Sequence, residues 1–136
     1  MNVLILDYGS GNVRSLYNTL KYVLSEISFH YGLRVSNSID DLNKSDFIIL
    51  PGVGSFKNCK NSLYQNPNLI ECLFKNILVK KKPFLGICVG MQLLAEFGLE
   101  NGQTSGLGFI KGTVKKIPNN TKKSIEKLKI PHIGWN

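Results

Sequence analysis

Three short apolar runs, each closing on a glycine-bearing turn, constrain the fold of this chain more than any other feature. Val3 to Leu6 ends at Asp7-Tyr8-Gly9-Ser10-Gly11-Asn12, Phe47 to Leu50 runs into Pro51-Gly52-Val53-Gly54-Ser55, and Phe84 to Ile87 runs into Cys88-Val89-Gly90-Met91-Gln92. An unbroken apolar run of this length, bounded by turn residues, reads as a strand buried on both faces, the kind found in parallel sheets covered by helices. Helical spacing follows. Val13, Leu16, Leu20, Val23 and Leu24 share one face of a helix, and a second helical region spans Leu69 to Val79 with Leu69, Leu73, Ile77 and Leu78 as packing positions. Lys80-Lys81-Lys82-Pro83 closes that second helix with positive charge and a breaker. Cys88 to Ala95 reads as a sharp turn into a third helix.

Between these elements the pattern predicts a short strand at Leu33 to Ser36 and a single helical turn at Ile39 to Asn43. Gly102 to Gly108 reads as loop, and Phe109 to Ile117 as a strand or hairpin broken at Gly112. Asn119-Asn120-Thr121 marks a polar turn, and Lys122 to Lys129 is a charged stretch without a core face. Three strand-to-helix transitions point to an α/β three-layer sandwich around a mostly parallel sheet. In such sheets the working loops collect at the C-terminal strand ends. The three glycine turns should therefore meet on one rim.

At 136 residues the chain is the size of one domain and can bury a core without disulfides or metals. The net charge of +8 raises the question of an anionic partner, but only Arg14 and Arg34 among the seventeen basic residues are arginines. Base readout favours arginine forks, and the lysines lie scattered among many asparagines, so the charge is read as solvated surface and no nucleic-acid partner is expected. Cys59, Cys72 and Cys88 are too widely spaced for a metal or redox pair. Neither a signal sequence nor a run long enough to cross a bilayer is present, which predicts a cytoplasmic protein without a membrane role. No cofactor or metal is expected.

Gly86-Ile87-Cys88-Val89-Gly90 has the G-x-C-x-G form of a nucleophile elbow. The turn from strand to helix is tight, so small residues are needed two positions either side of the nucleophile. Backbone N–H groups at the helix start then favour negative charge on the sulfur and on an attacked carbonyl, the Val89 N–H being the nearest. Gly52-Val53-Gly54 follows a different strand and is a candidate second half of an oxyanion hole. Cys59 and Cys72 read as ordinary core cysteines. Of the two histidines, His30 and His132, neither has an evident orienting acid, and no triad is assigned from them.

Four segments in order resemble the class I glutamine amidotransferase domain. They are Asp7 to Asn12, Leu50 to Phe56, Gly86 to Leu94, and Pro131-His132-Ile133-Gly134-Trp135-Asn136. Within that family the chain is most similar to the glutaminase subunits of imidazole glycerol phosphate synthases. The resemblance implies a flavodoxin-like sandwich in which Cys88 forms a γ-glutamyl thioester and releases ammonia. It implies an oxyanion hole from Val89 and the Gly52-Val53-Gly54 loop, turned away at rest and reset when the partner is occupied. Gln92 and Glu100 would hold glutamine, the latter through its amino group, although the loop around Phe97, Gly98 and Leu99 departs from the family's usual acidic run. Asn12, Trp135 and Asn136 would lie near a (β/α)8-barrel cyclase that uses the ammonia in histidine biosynthesis.

The family carries its catalytic His and orienting Glu after the Gly-Trp-Asn motif. The resemblance therefore implies a C-terminally truncated copy, residues 1–136 being the N-terminal part of a single domain, incomplete at the C-terminus and inactive alone. Two other readings remain open. The recipient of ammonia could be an enzyme that aminates a nucleotide-linked surface sugar, or the chain could be a catalytically inactive α/β module that only binds a partner. A cysteine hydrolase or isomerase of the wider superfamily is disfavoured by Gln92 and the Gly-Trp-Asn motif.

Overall fold

The computed structural model describes residues 1–27 and 30–117. Four parallel strands form the main sheet: β1 (Asn2–Leu6), β2 (Gly32–Ser36), β3 (Phe47–Gly52) and β4 (Phe84–Cys88), in the order β2-β1-β3-β4. The order reverses between β1 and β3, so crossovers leave the sheet on opposite sides of that junction and open a crevice at the strand ends.

Register assigns the side chains to two faces, because partnered residues in a parallel ladder point the same way. Leu4 pairs with Ile48, Ile48 with Phe84, and Leu50 with Gly86. This face, with Leu6, meets α2 (Ile39–Lys44), α3 (Phe56–Leu63) and α4 (Pro67–Phe74) through Leu42, Phe56, Cys59, Leu63, Leu69, Ile70 and Leu73 in one buried cluster. Val3, Ile5, Ile49, Pro51, Leu85 and Ile87 point the other way, toward α1 (Val13–Ser25), whose Leu24 is buried and whose Asn12 N-cap accepts the Ser15 N–H at 3.2 Å. Helices on both faces of a mostly parallel sheet make the expected three-layer sandwich.

Several local expectations are corrected. The helix α3 is not legible as expected structure in the sequence pattern, yet Phe56, Cys59 and Leu63 are all buried on it and Ser55 caps it by accepting the Asn58 N–H. The second helical region divides: α4 passes into a π-helical turn at Lys75–Val79, where the Lys80 N–H reaches the Lys75 carbonyl. The wider turn rotates the apolar stripe, so Leu78 is 46% exposed and does not pack. Val23 on α1 is likewise solvent-facing, at 46%.

The largest correction follows Cys88. The third helix, α5, is only Val89–Gln92, and the chain then turns into a second sheet of β5 (Ala95–Gly98), β6 (Thr104–Ser105) and β7 (Ile110–Val114) in the order β6-β5-β7. Ala95 pairs with Ile110 and Phe97 with Thr113, a long-range pairing that outweighs the helical pattern of Leu93-Leu94-Ala95. Between those two pairs Lys111 and Gly112 oppose the single Glu96, and the resulting bulge puts Gly112 at φ +136 with its N–H donated to the Glu96 carboxylate. The strand is therefore bent at Gly112 and not broken. Phe109 joins the two sheets by packing on Phe74 at 4.9 Å and Phe84 at 5.9 Å between ring centroids.

Candidate active site

Cys88 is the last residue of β4 and is exposed, with φ +56 and ψ −121. A non-glycine residue at that conformation is strained, and the strain is held by the packing around it. That packing is visible in the two glycines. A Cβ on Gly90 would fall on the Leu50 carbonyl oxygen, and one on Gly86 would lie 2.6 Å from the Met91 Cα. The elbow thus presses α5 onto β3 and β4 at contact distance, and the sulfur is carried out above the rim. One part of the expected electrostatic support is smaller than expected: a helix of four residues carries little of the end charge of a long one.

Gly52 is the register partner of Cys88, so the second glycine loop begins beside the sulfur. The Ile48 N–H donates to the Pro83 carbonyl. In a parallel ladder the bonds to one neighbour involve every second residue, so Leu50 and Gly52 also direct their backbone groups at β4. The last rung aims the Gly52 carbonyl at the Val89 N–H. This differs from the expectation of free N–H groups at the start of the helix. Pro51, which has no N–H, falls on the alternate position, and its carbonyl accepts the Tyr8 hydroxyl at 2.6 Å. Val53 is 62% exposed, and Gly54 has φ +108 with open space around it. The Val53 carbonyl accepts the Cys59 thiol at 3.3 Å.

Gln92 and Glu100 are brought together. With Gly54, Phe56, Val89 and Gly98 they line a cavity of about 450 Å³. Phe56 organises the Glu100 side: a Cβ on Gly98 would strike its ring, and its backbone N–H donates to Glu100 Oε2 at 2.8 Å. One carboxylate oxygen is thereby held and the group is aimed from a fixed position. Cys88, Gly52 and Val53 line a neighbouring cleft of about 260 Å³ with Asn12 and Pro51. The Gly52–Gly54 loop is the partition between the two spaces, with Gly54 on one side and Val53 on the other.

Lys115 and Lys116 also line the Glu100 cavity. The sequence pattern offered them only as surface charge; the signal lay in pairing, since Gly98 and Val114 are register partners and their following residues emerge together. His30 lies elsewhere. Its carbonyl accepts the chain's first amino group at 3.2 Å, at the end of β1 opposite the rim that carries Cys88. His132, Trp135 and Asn136 lie outside the described residues, as do the turn at Asn119 and the charged stretch after it. Among the described residues no group of three His, Cys, Asp or Glu side chains could hold a metal, and no helix is long and apolar enough to cross a membrane. The three cysteines are free, Cys59 buried and Cys72 partly so.

An exposed thiol on a strained elbow, beside a cavity with one fixed carboxylate, is equipped for nucleophilic attack on a small substrate bearing a cationic group. Comparison with known proteins agrees. The family model for the class-I glutamine amidotransferases matches residues 4–136. Among curated relatives, the "Imidazole glycerol phosphate synthase subunit HisH" proteins of Pelagibacter ubique and Rhodospirillum rubrum are each 43% identical over 136 residues, covering 100% of this chain and 62% of theirs. The protein of that name from Zymomonas mobilis is 44% identical over 135 residues, covering 98% and 60% respectively. The chain thus spans about 62% of the length of the relatives named first. With the strand order, the elbow and the family match in agreement, the chain belongs to the class-I glutamine amidotransferase family.

Proposed function

We propose that the chain carries the thiol and the glutamine-binding wall of a glutaminase that supplies ammonia to the cyclase barrel of imidazole glycerol phosphate synthase in histidine biosynthesis. In this reading Cys88 attacks the side-chain amide of glutamine, ammonia leaves, and water cleaves the γ-glutamyl thioester. Glu100 accepts the substrate's ammonium group and Gln92 its polar backbone atoms. Val89 and the Gly52-Val53-Gly54 loop supply the oxyanion donors, which requires the Gly52–Val53 peptide to turn so that its carbonyl leaves the Val89 N–H. Asn12 lies on the cleft beside Cys88 and, with Trp135 and Asn136, is assigned to the face that meets the barrel. The protein works in the cytoplasm.

The single observation that carries the reading is the backbone of Cys88, positive in φ beside Gly52 and next to the Gln92–Glu100 cavity. A structural cysteine has no need of that conformation. The base is assigned to neither His30, which is at the wrong end of the sheet, nor His132.

The test is glutamine hydrolysis by the full-length gene product, with and without the cyclase barrel and, separately, with a barrel enzyme that aminates a nucleotide-linked sugar. The reading predicts stimulation by the cyclase and a loss of at least about a thousandfold in Cys88→Ser. Stimulation only by the sugar enzyme would reassign the recipient. Partner binding without hydrolysis would leave a non-catalytic module.

A further inference from the structure

Two buried side chains stand behind the Gly52–Gly54 loop, and the reaction as outlined uses neither. Tyr8, just past the end of β1, is 8% exposed, and Cys59, on α3, is fully buried. Tyr8 donates its hydroxyl to the Pro51 carbonyl at 2.6 Å, and Cys59 donates its thiol to the Val53 carbonyl at 3.3 Å. They also neighbour one another: burial, and after it the adjacent Cys59 thiol, raise the Tyr8 hydroxyl above the usual tyrosine range, which keeps it a protonated donor.

A trans peptide directs its N–H opposite to its C=O. Holding the Pro51 carbonyl therefore fixes the Gly52 N–H, and holding the Val53 carbonyl fixes the Gly54 N–H so that it points away from the core. Gly54 lines the cavity of Gln92 and Glu100. The peptide between these two, Gly52–Val53, is fastened from behind by neither side chain.

We propose that Tyr8 and Cys59 are positioning residues that clamp the two peptides flanking Gly52–Val53, confining reorientation of the loop to that one peptide and keeping the Gly54 N–H turned toward the cavity. The inference rests on the glutaminase reading for its catalytic consequence, but its structural content does not depend on it. Neither residue touches substrate. Each acts through a backbone carbonyl, and a loop so clamped reorients one peptide between two defined states instead of sampling many.

The experiment compares Tyr8→Phe, Cys59→Ala and Cys59→Ser with the unaltered full-length gene product, using two reagents on Cys88. Glutamine, in the presence of the barrel partner, reports thioester formation and needs the oxyanion donors; iodoacetamide reports the sulfur alone and does not. The clamp predicts that Tyr8→Phe and Cys59→Ala each slow acylation about tenfold. Alkylation and the KM for glutamine should change less than about twofold, and Cys59→Ser, which keeps a donor, should recover most of the rate. A general loss of structure would move both reagents together and would overturn the inference, as would equal acylation in all variants. Amide resonances of Gly52 and Gly54 provide the independent arm: they should broaden or shift in Tyr8→Phe and Cys59→Ala. If the unaltered protein forms no thioester, the glutaminase reading fails, and unchanged Gly52 and Gly54 resonances would then overturn the clamp by themselves.

Discussion

Two of the rim's three glycine turns lie side by side at the ends of β3 and β4, and they differ in how far close contact fixes them. In the elbow, Gly86 and Gly90 are glycines because another backbone occupies the place of a side chain. In the loop, Gly52 is packed in the same way, a Cβ there lying 2.5 Å from the Gly90 nitrogen, whereas Gly54 has empty space around it and is glycine because its φ is +108. The first turn is welded by contact and holds a strained residue still. The second is packed against the elbow at Gly52 and beyond it is held through the Pro51 and Val53 carbonyls, with open space at Gly54. The proposed glutaminase would draw on both properties: a sulfur that does not move, and a loop end with room for donors to arrive.

Substitutions sharpen this difference. The largest effect is expected for Gly90→Ala, because the new methyl group would displace the β3 backbone at Leu50. A loss of roughly 3 kcal/mol or more is predicted, read as a chemical denaturation midpoint, and a near-neutral result would mean that the elbow is not welded. Gly54→Ala has no clash to make and meets only the backbone cost of positive φ, about 1 to 2 kcal/mol. If it cost as much as Gly90→Ala, the two turns would not differ as described.

The smallest effect concerns what backs the loop. Burial, then Cys59, raises the Tyr8 hydroxyl. A group whose folded value is raised contributes stability that is fully present below its unfolded value, near 10 for tyrosine, and is lost as pH climbs from there toward the folded value. Denaturation midpoints should therefore fall above about pH 10, and Tyr8→Phe should flatten that decline. An identical decline in both proteins would show that Tyr8 does not titrate with folding.

The sequence made the elbow legible because its requirements are local: an apolar run, a cysteine, and glycines two residues either side. The strands β1, β3 and β4 were legible for the same reason. The helix α3 was hidden because Lys57, Asn58, Lys60, Asn61 and Ser62 make it look like loop, although Phe56, Cys59 and Leu63 recur at spacings of 3 and 4 and Ser55 is a good cap. The extent of α5 was misjudged because the pairing that ends it, Ala95 with Ile110, is long-range. Glu100 was reached through family likeness; its local context gave no reason to place it beside Gln92, which depends on Gly98 seating against Phe56. Cys59 was read correctly as buried, but its hydrogen bond to Val53 depends on how α3 sits behind the loop, and no spacing rule carries that information.

The most direct test of the central claim is to quench the full-length gene product with acid during turnover of labelled glutamine and map the adduct by peptide mass. The account predicts a γ-glutamyl group on the peptide containing Cys88, lost in Cys88→Ala and unaffected by Cys72→Ala. A label on Cys59 or Cys72, or turnover with no covalent adduct in Cys88→Ala, would contradict it.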